Sequence, residues 1–330
     1  MSPAALLAVF LGFALTAYAL FAGADFGAGI LDLLAARRAE DRAVIESGIG
    51  PLWEANHVWL IFAITILLSA FPTAFSALGT ALLAPLAIAL LAIVARGAAF
   101  GLRSGLDDQT GPRVHLSRLF GAASAIAALA FGLVAGGLAQ ASSSRSVARG
   151  PVSVPWTSPF AIIVGLLAIC LCAQLAATFM ANRLAATGRR ELAGRFRARA
   201  LQAGAGSLVF SVGGLLVADT AAPRLYARLT DAALPLVVLA LAGLALSLLA
   251  VAGRRYALAR AATLLAGAAL VWGWFIAQSP HLVGPLLTIH TASATGPALA
   301  AIAISCGVVL VCVIPAMFLL FSMFARPSQR

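Results

Sequence analysis

Nine stretches of about 20 or more mostly apolar residues follow one another along this chain, separated by short polar segments rich in arginine. A helix rises about 1.5 Å per residue, so roughly 20 residues cross the hydrocarbon layer of a bilayer. In that layer every backbone N–H and C=O must find its partner within the protein, which makes such runs helices. The pattern predicts helices over about residues 4–35, 52–71, 75–100, 116–139, 157–184, 200–219, 232–252, 257–278 and 297–325. The fold class is therefore all-α and polytopic, and residues 1–330 read as one integral membrane domain. With 62% hydrophobic and only 10% charged residues, the composition excludes an ordinary soluble domain. The first run has no basic segment before it and no small-residue cleavage site leading into a polar mature chain, so it is expected to be a span and not a removable signal.

The net charge of +11 comes from arginine alone, because the sequence has no lysine. Its distribution sets an orientation. Seventeen arginines fall in alternate loops and at the carboxyl terminus, four (Arg145, Arg149, Arg224 and Arg228) fall in the opposite loops, and Arg96 lies inside the third run. Positively charged loops stay in the cytoplasm, so the amino terminus is expected outside and the carboxyl terminus inside. Because the arginines alternate with apolar runs and do not gather on a polar domain, nucleic acid is excluded as a partner.

Acids are the scarcer and more informative residues. The unbroken apolar part of the first run ends near residue 25, and by that measure Asp25 and Glu54 are the only acids inside or at the edge of the first three runs. A carboxylate there is costly to keep ionised unless a partner compensates it, which makes an intramembrane acid a candidate for handling protons or ions. The predicted topology brings Asp25, Glu54, His57 and Arg96 to similar depth near the cytoplasmic side. Glu54 and His57, three apart, lie on one side of helix 2. Plainer roles compete with this. Pro51 suits a first helical position and Glu54 a first turn, where it would only offset the helix dipole. Arg96 would only neutralise Asp25, and His57 would be one more hydrogen-bonded polar side chain.

Other chemistry finds little support. Glu54 and His57 match one Glu-x-x-His pair of a di-iron bundle, but no second pair exists. Haem needs axial His, Met or Cys inside spans, and only His57 lies near one among the four histidines. Cys170, Cys172, Cys306 and Cys312 form no CxxC pair and read as small buried hydrophobes, so neither a disulfide nor a metal site is expected. Gly23 and Gly27 make a GxxxG spacing that admits a close helix neighbour beside Asp25, and Gly132, Gly136 and Gly137 read likewise. Pro85 and Pro315 are expected to kink helices 3 and 9.

Several of these residues fall in longer motifs. Gly23-Ala-Asp-Phe-Gly-Ala-Gly29, Ser47-Gly-Ile-Gly-Pro-Leu-Trp-Glu-Ala-Asn-His-Val-Trp-Leu60, Phe71-Pro72, Arg96-Gly-Ala-Ala-Phe100 and Arg103 resemble, in order and spacing, subunit II of the cytochrome bd-type quinol oxidases. A weaker likeness continues in Ala177-Thr-Phe179 and in Leu287-Thr-Ile-His-Thr-Ala-Ser293. The resemblance implies two four-helix bundles plus a peripheral helix, in the bacterial cytoplasmic (inner) membrane. It also implies a heterodimer with a haem-bearing subunit I, which would hold haem b and haem d, or a b-type variant, and the quinol oxidation site. Subunit II would carry no haem. It would stabilise its partner and pass protons from the cytoplasm for reduction of oxygen to water, with Asp25 and Glu54 on the path, His57 as a supplement, and Trp53, Asn56, Trp59, Arg96 and Arg103 in support. A structural quinone, lipids and a small accessory membrane subunit are further implied companions.

The chain departs from the family pattern at Ala22 and Gly101, where acids are usual, and at Thr291, where Asn or Asp is usual. Two alternatives stay open: a secondary transporter, which would place its binding groups nearer the midplane, and a scaffold subunit without a proton role.

Overall fold

The computed structural model describes residues 2–34, 39–103, 105, 111–141 and 154–325, without the side chains of residues 39, 47–55, 318 and 320–325. Among these residues the chain forms eleven helices and one short hairpin. The long helices are α1 (Pro3–Leu34), α2 (Ala39–Ala70), α4 (Leu83–Arg103), α5 (Gly111–Ala141), α6 (Pro159–Ala186), α7 (Arg190–Ala221), α9 (Leu234–Ala252), α10 (Tyr256–Gln278) and α11 (Gly296–Ala325). Two short helices, α3 (Pro72–Ala81) and α8 (Pro223–Leu229), and the antiparallel strands β1 (His281–Val283) and β2 (Leu287–Thr288), lie between them.

Eight of the helices are long and apolar enough to cross a membrane, and the bent pair α2–α3 brings the number to nine. They form two bundles. In the first, α1 packs on α2 and α5, while α4 packs along α5. In the second, α6, α7, α9 and α10 each touch two neighbours and close a ring. The bundles meet where α1 and α5 press on α6, and α11 lies outside against α1 and α2.

Small residues set that junction. A methyl group on Gly27 would lie 1.8 Å from the Cys172 carbonyl oxygen of α6, and one on Gly132 or Gly136 would strike the α6 backbone at Gly165 or Ala161. The neighbour expected beside the Gly23–Gly27 pair is therefore α6, and the same helix meets α5. At this separation glycine is the residue that fits.

The amphipathic pattern of α4 is inverted relative to a soluble helix. Its buried positions are Pro85, Ala89, Ala92, Arg96, Ala99 and Arg103, spaced by threes and fours so that they form one stripe. Leu90, Leu91, Val94 and Leu102 face outward. The stripe carries its two charges inward and the leucines outward, as an apolar surrounding requires.

The helix boundaries differ from expectation in three places. Helix 2 begins at Ala39 and not at residue 52, so Pro51 and Glu54 lie in its interior; the acids of its first turn are Glu40 and Asp41. The apolar measure missed this start because residues 39–50 mix charges with small side chains. Helix 3 is two helices. The chain bends by 114° between α2 and α3 at Phe71, and a second break at Leu82 starts α4. Pro85 consequently sits in the first turn of α4, where its missing N–H costs nothing, and the interruption expected at Pro85 lies three residues earlier. Pro315 does lie inside α11.

Contacts at the arginine-rich ends gather there the carboxyl ends of α1, α4 and α9 and the amino ends of α2, α5 and α7. Arg113 of α5 reaches Glu46 of α2, Arg195 and Arg199 of α7 reach Asp41 of α2, and Arg197 donates to the last carbonyls of α9 at Val251 and Ala252. At the other end the segment between α10 and α11 is pinned to the end of α2 and the start of α3: Ala294 N–H donates to Ala70 C=O and the Thr73 hydroxyl to Ala292 C=O. His281 is buried in this segment, and burial, reinforced by the Arg224 charge, pushes its imidazole below the ordinary histidine range. Of the cysteines, Cys172 and Cys306 are buried, Cys170 is partly so, and Cys312, expected to be buried, is exposed because its side of α11 has no neighbour among the described residues.

Candidate functional site

The polar interior of the first bundle is built from two acid–arginine rungs. Asp25 on α1 is wholly buried, and so is Arg96 on α4. The guanidinium grips the carboxylate with both arms, Nη2 to Oδ1 at 2.7 Å and Nη1 to Oδ2 at 2.8 Å. This planar two-armed geometry is the strongest form of the pair, and lysine cannot reproduce it. Asn56 of α2 adds a hydrogen bond from Nδ2 to Asp25 Oδ2 at 2.9 Å. The remaining Arg96 donor, Nε, reaches the Ser124 hydroxyl of α5 at 3.0 Å. Four helices thus converge on one ion pair.

The rings of Phe26 and Phe120 sit on Arg96, with centroids 4.8 and 5.0 Å from its guanidinium carbon. They pack apolar surface over the charge while retaining a cation–π attraction. Gly29 makes room at this point, since a methyl group there would lie 2.2 Å from Ser124 Oγ.

The second rung lies one helical repeat further along the same two helices. Asp32 is seven residues after Asp25 and Arg103 seven after Arg96, so both pairs fall on matching faces. Arg103 Nη1 meets Asp32 Oδ2 at 2.8 Å, and its Nε meets Glu46 Oε1 of α2 at 3.3 Å. Arg113 of α5 binds the other oxygen of Glu46 at 3.0 Å. Glu46 is partly exposed, so this rung connects the buried interior to the arginine-rich end.

Sequence reading grouped Asp25, Glu54, His57 and Arg96 at one depth and gave Asn56 a supporting place; Arg96 and Asn56 both bind the Asp25 carboxylate. It placed Arg103 in their support, whereas Arg103 serves Asp32. Asp32 and Glu46 were missed, the first because it follows the unbroken apolar stretch and reads as flank. The repeated interval of seven between the acids and between the arginines was the available signal. His57 is half-buried beside Asn56 on α2, and Trp59 is buried with its ring edge-on to Phe13 at 5.5 Å. The side chains of Trp53 and Glu54 lie outside the described residues.

The second bundle has its own polar layer, without charge. Gln174 Nε2 of α6 donates to the Ser247 hydroxyl of α9 at 3.2 Å, and Ser247 shares a 2.7 Å hydrogen bond with Thr263 of α10. All three residues are buried. Among the described residues no group of three or more His, Cys, Asp and Glu could hold a metal ion.

Comparison with known proteins agrees with this architecture. The family model for cytochrome bd terminal oxidase subunit II matches residues 3–324. Cytochrome bd ubiquinol oxidase subunit 2 of Bacillus subtilis is 35% identical over 85 residues, covering 26% of this chain and 25% of that protein. Cytochrome bd-I ubiquinol oxidase subunit 2 of Escherichia coli K12 is 29% identical over 97 residues, covering 29% of this chain and 26% of that protein. The aligned part therefore spans about a quarter of the length of these curated relatives. A chain of the bd oxidase from Geobacillus thermodenitrificans shares the fold, with a TM-score of 0.81 at 20% identity over 98% of this chain and 99% of that one. Together with the apolar helices, the family match makes this a multi-pass membrane protein, and the chain belongs to the cytochrome bd terminal oxidase subunit II family.

Proposed function

We propose that this protein is the haem-free second subunit of a bd-type quinol oxidase, that it stabilises a haem-bearing subunit I, and that it conducts protons from the cytoplasm toward the site of oxygen reduction. The observation that carries the proton role is Asp25, a wholly buried acid held among four helices next to a partly exposed ionic rung. A carboxylate in such a place is a general feature of proton routes through membranes. The arginine-rich ends would face the cytoplasm, which puts Glu46 at the entrance. The bacterial inner membrane is the compartment this implies.

The haems b and d, or a b-type variant, fit the partner better than this chain. Met180 and Cys172 are buried among apolar side chains of α6, while His115 and His290 are exposed. When bound in the partner, the haems would carry electrons from quinol to oxygen. This chain's residues would do the proton work. Asp25 would take a proton by releasing one arm of Arg96, while the second arm and Asn56 keep the carboxylate in place. Phe26 and Phe120 would keep bulk water from the pair. Glu54 and His57 on α2 remain proposed neighbours on the route. A structural quinone, lipids and a small accessory subunit remain proposed companions.

A scaffold without proton transfer is the second reading. The completeness of the clamp on Asp25 favours it, because every carboxylate oxygen already accepts a hydrogen bond. Asp25→Asn in the intact oxidase separates the two. A proton role predicts a loss of turnover of at least about tenfold with normal haem content, within the range of lost acid–base function. Since the change leaves Arg96 unpaired, the double variant Asp25→Asn/Arg96→Gln serves as a control for assembly. Wild-type turnover in an assembled complex of either variant rejects the proton role.

A further inference from the structure

We propose that Asp32 is a proton-transfer station on this route, set between the partly exposed Glu46 and the buried Asp25; the proposal rests on the proton-conducting reading above. It begins with an asymmetry between the two rungs. Both oxygens of Asp25 are taken, by two arms of Arg96 and by Asn56. Asp32 is held by a single arm of Arg103, through Oδ2. Its other oxygen, Oδ1, accepts no hydrogen bond among the described residues, although the side chain is wholly buried. Arg103 Nη2, equally buried, likewise has no acceptor.

A buried donor and a buried acceptor without partners on two side chains that touch each other are unusual, since an unsatisfied buried polar group is costly. They are complementary to a water, which would donate to Asp32 Oδ1 and accept from Arg103 Nη2. Oδ1 is also where a proton can be added without displacing the hydrogen bond from Arg103 to Oδ2. Asp25 has no such oxygen. The two acids differ in what protonation disturbs: at Asp32 one free oxygen is filled, and at Asp25 a clamp arm must open.

Position supports the assignment. Asp32 lies seven residues from Asp25 on one face of α1, about 10.5 Å along the axis, a span that a short chain of hydrogen-bonded waters covers. In the other direction Arg103 connects it directly to Glu46, which is 28% exposed. The charged groups around Asp32 are Arg103 from α4, Glu46 and Arg42 from α2, and Arg113 of α5, which acts through Glu46. The step moves a proton only. A hydronium at the arginine-rich end loses a proton to Asp32 Oδ1, and the same proton leaves through water toward Asp25, which returns Asp32 to the carboxylate.

The test uses the intact oxidase with quinol as electron donor, reading turnover, haem content, solvent deuterium isotope effect and the redox-difference infrared signal of protonated carboxyls. Asp32→Asn should lower turnover at least about tenfold at normal haem content, raise the isotope effect and remove one carboxyl signal. Asp32→Glu should restore much of the turnover. Wild-type turnover in Asp32→Asn alongside an impaired Asp25→Asn overturns the role of Asp32 and leaves the route through Asp25 standing. Wild-type turnover in both rejects the proton-conducting reading itself. Should Asp32→Asn fail to assemble, the paired change Asp32→Leu/Arg103→Met removes the whole ion pair, a replacement that buried pairs often tolerate. An assembled double variant that turns over at the wild-type rate overturns the proposal, and one that assembles but is slow supports it.

Discussion

The two bundles solve the same packing problem with different polar interiors. In the first, α1 and α4 are joined by buried ion pairs, Asp25 with Arg96 and Asp32 with Arg103. In the second, α6, α9 and α10 are joined by an amide and two hydroxyls, Gln174, Ser247 and Thr263. The neutral layer shows that four helices of this length and composition close with no ion pair in their interior among the described residues. Desolvating an ion costs several kcal/mol, and the attraction regained often does no more than offset it. Packing alone therefore does not account for the charges of the first bundle; the proposed proton role would account for them.

The comparison can be broken most sharply at Arg96. Arg96→Ala strands the Asp25 carboxylate in an apolar interior and should cost about 3–5 kcal/mol, read as lost thermal stability or failed assembly. Lysine should rescue little, for want of two arms. A small effect would mean that the first bundle tolerates its polar layer as easily as the second. At the junction between the bundles, Gly27→Ala places a methyl group 1.8 Å from the Cys172 carbonyl. It should cost about 1–3 kcal/mol through strain, checked by thermal unfolding, with Gly213→Ala on α7, where nothing lies within 4 Å, as the neutral control.

In the second bundle, Ser247→Ala removes the hydroxyl that Gln174 and Thr263 share and should cost only about 1 kcal/mol, as single hydrogen bonds within membranes do. A loss as large as that of Arg96→Ala would erase the distinction drawn between the layers. The smallest effect is expected at His281, outside both bundles. Its folded imidazole is held below the ordinary value of about 6.5 by burial and then by Arg224. The unfolded chain therefore binds the proton first as pH falls. Stability from this group is complete above about pH 6.5 and declines as pH drops toward the folded value. His281→Gln should flatten that decline in a pH series of melting temperatures.

How much of this was legible in the sequence follows the same division. The Asp25–Arg96 pair was readable because a charge inside an apolar run has few partners to choose from. The second rung was not, because Asp32 stands at the end of the first predicted helix, where the apolar run gives way to polar residues, and hydropathy says little where charges mix with small side chains. The extension of α2 back to Ala39 escaped for that reason. The break at Leu82 was signalled only as a kink at Pro85, three residues on, and the division of the span into two helices was not readable from residues 75–100. The neutral layer was invisible: serine, threonine and glutamine inside apolar helices are common, and only the three-dimensional register brings these three together. Gly23 and Gly27 announced a close neighbour, but its identity as α6 required the fold.

The equal intervals of seven on α1 and α4 make their contact a key with two teeth. Neither helix can slip along the other by one turn, about 5.4 Å, without both arginines losing their acids at once. Adding one residue between Arg96 and Arg103 would swing one of the two about 100° away from α1 and leave its carboxylate alone. The two helices are thereby confined to a single alignment, and any motion during turnover must carry them together.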